Sequence, residues 1–506
     1  MRNAGNDASR MITLGIDCGT QSTKVVAMDC ETGAILASGG ESYGFVEGLP
    51  EGAMEQDPAW WVAAADKGIR EVLSALGSRA AEICGIGVSG QQHGLVVISK
   101  EGGVLRAAKL WCDTSTTNEC REITEKLGGN AGAIALVGNT IRTGYTAPKI
   151  LWLSKIESET WDQTATLLLP HDYLNFWLTG EKRMEYGDAS GTALLDISSR
   201  KWSAKACDAV CPGLTERLPA LGSSAAACGT LRESLRKEWG LAKAPIVSAG
   251  GGDNMMAAIG TGNVKVGGVT ASLGTSGTLF AFSNKPVVDA KGEIAGFCDS
   301  TDNWLPLLCT MNLTLVTEHV RKLFGWSHEE MDAVVDAEKP GAGGLTFLPY
   351  LTGERTPDLP SARGVLANLS LANFTPGALA RASVESVLLG VGYGLNRFRE
   401  LGVPVSSIRL TGGASNSPVW RQICADIFGV PTIGLDSGKG AGSGAAIQAA
   451  WTVMAGSDLG ELCDRLISED ASTRCEPDKN NTALYSEALA KMGDLRGALA
   501  GTSFLQ

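Results

Sequence analysis

The sequence predicts a two-domain α/β protein from three observations: a length of 506 residues, short apolar strands alternating with helical stretches, and a glycine-hydroxyl turn that recurs once in each half. So long a chain exceeds one ordinary core, and 44% hydrophobic content with 64 glycines suits packed lobes joined by many tight turns. A net charge of −12 disfavours nucleic acid and anionic membrane surfaces as partners, so any anion must be held locally. Thirteen cysteines without a CxxC pair, and only four histidines, argue for reduced thiols and against structural zinc. The first ten residues have two arginines with no apolar segment behind them and read as a short leader, not a secretory signal. The longest apolar stretch, 440–456, is broken by glycines and too short for a bilayer; no membrane helix and a cytoplasmic location are expected.

The elements follow in chain order. Apolar alternation predicts strands over 11–17, 24–29, 83–89 and 94–99, and a 3.6-residue period predicts a helix over 58–76. The opening pair flanks a polar turn in "GIDCGTQSTKVVAMD" (15–29), where an aspartate precedes glycine, hydroxyls and a lysine, a pattern suited to a negatively charged ligand. "GGVTASLGTSGTLFAFS" (267–283) repeats strand, turn and strand, which divides the chain into domains 1–264 and 265–506, with a helical tail from about residue 455. Hairpin turns favour such residues anyway, so the two turns alone are equally compatible with chance. "LTGGASNSPVWRQICADIFG" (410–429) adds a strand end, a Gly412-Gly413 turn and a helix capped by Ser417, begun by Pro418 and ended by Gly429. The runs near Lys201, Arg217 and 232–237 read as solvated faces.

Two glycine-hydroxyl turns and a Gly-Gly turn opening a helix offer many free backbone N–H groups, as polyphosphate recognition requires. Neither GxxxxGK[ST] nor a GxGxxG before a helix occurs in these turns, which removes support for the P-loop and dinucleotide folds.

The ordered motifs match a known family. They are "GIDCGTQSTK" (15–24), "EQDPAWWV" (55–62), "SGQQHG" (89–94), "LWCDT" (110–114), "GYTAPKILWL" (144–153), "LPHDYLNFWLTGE" (169–181), "GDASGT" (187–192) and "AGGGDNMMAAIGTG" (249–262). The second half adds "SLGTSG" (272–277), "FLPYLTGERTP" (347–357), "LTGGASNSPVWRQICADI" (410–427) and "GAGSGAAIQAA" (440–450). Together they resemble the FGGY family of carbohydrate kinases over nearly the whole chain.

The resemblance implies two actin/hexokinase-like, ribonuclease H-like domains with the active site in the cleft between them. It implies ATP and Mg²⁺, with Asp17 and Asp253 as metal-side carboxylates, Asp17 acting through water. Gly19, Thr20, Gln21, Ser22, Thr23 and Lys24 would approach the ATP phosphates, and Gly274, Thr275, Ser276 and Gly277 would do so from the other lobe. Gly412, Gly413 and Asn416 resemble an adenosine-binding segment. Asp253, after three glycines at a strand-to-helix junction, would be the general base that takes the proton of a sugar hydroxyl. Gln92 and His93, at the end of a strand, and Asn254 would contact the sugar, as would Trp111 and Asp113. The implied reaction is phosphorylation of D-xylulose at its terminal hydroxyl to D-xylulose 5-phosphate. A homodimer is the family-level expectation for assembly.

Bland readings stand beside these. Asp17 can end a strand and bond its own turn, and Asp253 can cap a helix starting at Asn254. Trp111 and Asp113 fit core and turn equally well. The 440–446 glycine-alanine stretch fits close helix packing, and Glu354-Arg355 fits a loop that organises its lobe. The family commonly has methionine where this chain has Gln92, so another ketopentose or a pentitol stays open as substrate. A non-catalytic nucleotide-binding protein of the actin or chaperone type is the alternative of a different class.

Overall fold

The computed structural model describes residues 11–435 and 440–505; the leader expected over residues 1–10 lies outside the described residues. Two compact units form, the first from the described residues of Met1–Lys265, Phe282–Leu305 and Ser437–Ser468. The second comprises Val266–Ala281, Pro306–Asp436 and Glu469–Gln506 within the same limits. The division expected at 264/265 is thus followed by two stretches that return to the first unit.

The first unit is built on strands β1 (Ile12–Cys18), β2 (Ser22–Asp29), β3 (Ile35–Ser42) and β4 (Ile83–Gly90). It continues with β5 (Ala227–Thr230), β6 (Ile246–Ser248) and the short β7 (Gly251–Gly252). The sheet order is β5-β6-β4-β1-β2-β3, with β7 beside β4. Helix α1 (Pro58–Leu76) coincides with the predicted span: Asp57 accepts a hydrogen bond from the Ala59 N–H at 2.9 Å, and Pro58 opens the first turn. Helices α2 (Thr146–Ile156), α3 (Pro170–Thr179), α4 (Tyr186–Ser190), α5 (Asp253–Gly260) and α6 (Ala441–Val453) complete the frame of the site.

Strand periodicity sends alternate residues to opposite faces. On β1 and β4, Ile12, Leu14, Ile16, Ile86 and Val88 pack into a core with Trp61, Ala65, Ile69 and Val72 of α1. The intervening positions are small because α6 lies against them. A methyl on Gly15 would stand 1.9 Å from the Gly442 carbonyl oxygen, and one on Gly87 2.0 Å from that of Ala445. Thr13 spends its hydroxyl on the Ala446 carbonyl at 2.9 Å. The same helix meets α5, where a methyl on Gly444 would stand 1.8 Å from the Met256 carbonyl oxygen. The glycine-alanine stretch of the sequence is therefore a close helix contact.

The second unit repeats the topology. Strands β8 (Gly267–Leu273), β9 (Gly277–Ala281), β10 (Trp304–Thr310), β11 (Val405–Thr411), β12 (Thr432–Leu435) and β13 (Glu469–Cys475) run in the order β10-β9-β8-β11-β12-β13. As with β1 and β2, β8 and β9 form an antiparallel hairpin; as with β1 and β4, β8 and β11 pair in parallel. The tail expected to be helical contributes β13 as well as helices Leu459–Leu466 and Lys479–Leu499. The helix Pro418–Phe428 has its predicted cap, with Ser417 accepting from the Trp420 N–H at 3.3 Å, and Gly429 ends it at φ 67°. Among the described residues, no helix is long and apolar enough to cross a membrane.

Arg217 departs from the solvated face expected for it: its guanidinium lies 4.2 Å from the Trp161 ring and donates to the Thr164 carbonyl at 2.6 Å. Contact distances of this kind give the fold a direct test. Gly444→Ala should lower unfolding stability by about 1–3 kcal/mol, because backbone must move to admit the methyl. Gly493→Ala, on the helix Lys479–Leu499 where a methyl meets open space, should raise it by about 0.5–1 kcal/mol. Urea midpoints at constant slope measure both.

Candidate active site

The first hairpin closes on itself before offering anything outward. Asp17 pairs with Lys24 and Cys18 with Thr23, and the Gly19 N–H donates to the Ser22 carbonyl at 3.0 Å. Thr23 turns inward, its hydroxyl 3.1 Å from that of Tyr43, which in turn donates to the Gly19 carbonyl at 2.6 Å. Gln56 holds the Thr20 carbonyl at 2.7 Å, and the Thr20 hydroxyl donates to Gln91 at 3.3 Å. Gln21 and Lys24 are exposed and Ser22 is half-buried. Asp17, at the end of β1, accepts a hydrogen bond from Ser89 at 3.0 Å. Burial pushes its carboxyl upward, with Ser89 and Lys24 opposing.

A second carboxylate stands at the first residue of α5. Gly252 takes the extended N-cap conformation, so Asp253 is inside the helix by one residue and not its cap. Its Oδ1 accepts from the Asn254 backbone N–H at 2.8 Å and from Asn254 Nδ2 at 3.0 Å. Asn254 Nδ2 also donates to Gln92 Oε1 at 2.8 Å, so Asp253, Asn254 and Gln92 form one line of contacts. Burial first, then the charges of Asp17 and Asp188, push the Asp253 carboxyl up to about 7.

The glycine tract before Asp253 is held by Gln448 of α6. Its Oε1 accepts from the Gly250 N–H and from the Ser248 hydroxyl, each at 2.8 Å, while its Nε2 donates to the Gly250 carbonyl at 3.0 Å. This amide pairs with Gly250 as a neighbouring peptide would, at the break between β6 and β7 where Gly250 takes φ 73°.

His93 follows β4 with φ 64°, and its ring lies tilted against Tyr145 at 4.6 Å and Phe297 at 5.9 Å between centroids. A methyl on Gly191 would lie 2.5 Å from His93 Cε1, so the "GDASGT" segment lies directly against the imidazole. Within that segment Asp188 is fully buried and meets His171 Nδ1 at 2.8 Å; His171 Nε2 faces Asp172 at 2.9 Å. Burial alone would strip the His171 proton, but Asp172 and Asp188 outweigh it and hold the ring protonated well above its ordinary range.

Trp111 and Asp113 are separated in role. The Trp111 indole is 40% exposed and donates to the Thr20 hydroxyl at 2.9 Å, which ties it to the first hairpin. Asp113 is buried beneath it, and its oxygens accept from Lys109 at 3.1 Å, from the Met54 N–H at 3.0 Å and from Ser115. Its hydrogen bonds are directed into the fold.

In the second unit Thr275 and Ser276 are exposed at the hairpin tip, while Gly277 is buried with its N–H on Thr310 at 3.2 Å. The Gly274 and Thr275 carbonyls accept from the turn at Leu313–Leu315. Gly412, at φ 86°, comes so close to this hairpin that a methyl on it would meet the Leu273 carbonyl oxygen at 2.6 Å. Gly412, Gly413 and Asn416 are exposed beside it. Glu354 accepts from the Met311 N–H at 2.6 Å, from Asn312 at 3.0 Å and from the Arg355 N–H at 2.7 Å, and so gathers the loop around it.

The first unit thus brings together Asp17, Gln92, His93, Asp253 and Asn254 at the ends of β1, β4 and β7. The second gathers Gly274–Gly277 with Gly412, Gly413 and Asn416. Sequence reasoning passed over Asp188, His171, Tyr145, Gly191 and Phe297, although all but Phe297 lie in segments quoted above for their pattern.

Comparison with known proteins identifies the family. The model of the FGGY family of carbohydrate kinases, N-terminal domain, matches residues 12–260, and that of the C-terminal domain matches 269–453. The chain is 38% identical over 481 residues to a xylulose kinase from Haemophilus influenzae, covering 94% of this chain and 97% of that one. A crystal structure of a xyloylose kinase from Brucella ovis superposes with a TM-score of 0.89 at 32% identity, covering 96% of this chain and 99% of that one. The xylulose kinase from Bifidobacterium adolescentis gives 0.82 at 29% identity, with 95% and 99% covered. The two ribonuclease H-like units, the carboxylate pair and these matches lead to one conclusion: the chain belongs to the FGGY family of carbohydrate kinases.

Proposed function

We propose that the protein transfers the γ-phosphoryl group of ATP to the terminal hydroxyl of D-xylulose, giving D-xylulose 5-phosphate and ADP. The observation that carries this reading is Asp253, a carboxyl poised at about 7 and linked through Asn254 to Gln92, beside His93. Gln92, His93 and Asn254 supply amide and imidazole groups suited to the hydroxyls and carbonyl of an open-chain ketose. The xylulose kinases named above supply the choice of sugar.

In this reading the sugar oxygen attacks the γ-phosphorus as its proton passes to Asp253, and the bond from the γ-phosphorus to the bridging oxygen breaks with its electrons leaving on ADP. Gly19 to Lys24 of the first unit serve the phosphates, and Gly274 to Gly277 with Gly412, Gly413 and Asn416 of the second serve the nucleotide. Trp111 borders the sugar from its place on Thr20; Asp113 supports that loop from below. Asp17 and Asp253 are the carboxylates that would hold Mg²⁺. They fit it because both carboxyls are buried and the charge of Asp17 raises the cost of ionising Asp253, an excess of negative charge that a hard divalent cation offsets. When bound, Mg²⁺ neutralises charge on the transferring phosphates. All thirteen cysteines are free thiols, in keeping with a reducing cytoplasm.

ADP release should be measured with Mg-ATP and, in turn, D-xylulose, D-ribulose, L-ribulose, glycerol, gluconate and no sugar. D-xylulose should give the fastest turnover; a faster polyol would replace it as substrate, and release that no sugar stimulates would refute the kinase reading. Asp253→Asn should slow the reaction by about 10²–10⁴-fold. The base must be ionised, so in the wild type kcat/KM for Mg-ATP, which reports the enzyme before the metal binds, should fall about tenfold per pH unit below about 7 and level off above it. Asp253→Asn should lose that acidic limb.

A further inference from the structure

Lys149 has an unusual environment. It lies on the first turn of α2, fully buried, and its ammonium has no carboxylate within ion-pair distance among the described residues. Its hydrogen bonds go to two main-chain carbonyls, that of His93 at 2.7 Å and that of Gly144 at 2.5 Å. The Thr146 hydroxyl joins it on the His93 carbonyl at 3.2 Å. Burying an ammonium with no carboxylate in contact is costly, and here the desolvation, only partly offset by the charge of Asp113, pushes Lys149 down to about 7. A residue needed only to fill this space would be apolar.

The carbonyl it grips belongs to a strained residue. A non-glycine side chain at φ 64° occupies the left-handed region, which persists only where surrounding contacts impose it. Lys149 and Thr146 fix the main chain of His93 from one side, while Tyr145, Phe297 and Gly191 fix its ring.

We propose that Lys149 is a positioning residue for sugar recognition, holding the His93 carbonyl so that the imidazole is presented in one orientation. The inference rests on the reading of His93 as a sugar contact. Lys149 touches no reacting atom and acts through the main chain of His93.

The test compares Lys149→Met, Thr146→Val, His93→Ala and the double variant Lys149→Met/His93→Ala, with KM for D-xylulose, KM for ATP, kcat and thermal midpoint read for each. Misplacing a binding group by about 1 Å costs up to about 100-fold, so Lys149→Met should raise the D-xylulose KM about 10- to 100-fold and leave the ATP KM unchanged. In the His93→Ala background the same substitution should change the D-xylulose KM by no more than about twofold, because groups acting as one unit are not additive. Should Lys149→Met fail to fold, Thr146→Val carries the same readout with a smaller rise. A lysine effect that persists in full without His93, or that weakens ATP and sugar alike, overturns the proposal while leaving His93 as a sugar contact. A His93→Ala variant with an unchanged D-xylulose KM overturns the sugar-contact reading, and the proposal with it.

Discussion

The close approach of α6 to the glycine face of the first sheet is the constraint on which the site depends. A helix separated from a sheet by ordinary side chains would leave the ends of β1 and β7 apart from its first turn. Here Gly15 and Gly87 remove those side chains from the sheet, as Gly260 and Gly444 do between α5 and α6, and backbone meets backbone. One consequence is that the Asp17 Cβ lies 3.5 Å from where a methyl on Gly442 would project, so its carboxylate stands beside the first turn of α6, where helix N–H groups favour negative charge. Another is that Gln448, two turns further along α6, reaches the main chain of Gly250 and sets the path into Asp253. Packing therefore determines the electrostatics.

Those electrostatics are arranged around an excess of buried acid. Asp17, Asp188 and Asp253 raise one another or are raised by burial, and a cluster of this kind would tend to take up protons. His171 limits this by lying between Asp172 and Asp188 as a cation, which draws Asp188 back toward its charged form. Among the described residues Asp253 has no such cation against it, and its carboxyl is left at about 7. His171 and Asp188 thus shape the site without being on the line from Asp253 to Gln92.

Local features were legible in the sequence where one residue type has one physical use. The hairpin turns, the Asp57-Pro58 start of α1 and the Ser417-Pro418-Gly429 frame of the later helix follow from capping and backbone preference alone. The glycine spacing on β1 and β4 was visible, but the helix that requires it lies more than 400 residues from Gly15 in sequence and gives no local signal. Separation in sequence likewise hides Phe297, which returns to the first unit from beyond the first strands of the second. Lys149 sits in an apolar helical run and reads as one polar residue among core, because its partners are carbonyls, which every residue has. Asp188 and His171 were hidden for a related reason: burial, which makes their pairing matter, cannot be read from residue type.

The repeated topology also carries different side chains in its two copies. In the first hairpin Asp17 is flanked by Lys24 on β2 and Ser89 on β4. The matching position of the second hairpin is Ser272, flanked by Thr278 on β9 and Thr411 on β11. The same three-strand frame therefore carries an anion between a cation and a hydroxyl in one unit, and three neutral hydroxyls in the other. Backbone geometry alone makes both turns rich in N–H groups, so both suit phosphate. Only the first adds a carboxylate with the hard oxygens that a divalent cation prefers, and only there does a glycine tract bring a second carboxylate alongside. Two hairpins with the same strand pairing therefore differ in chemistry through a few side chains at equivalent positions.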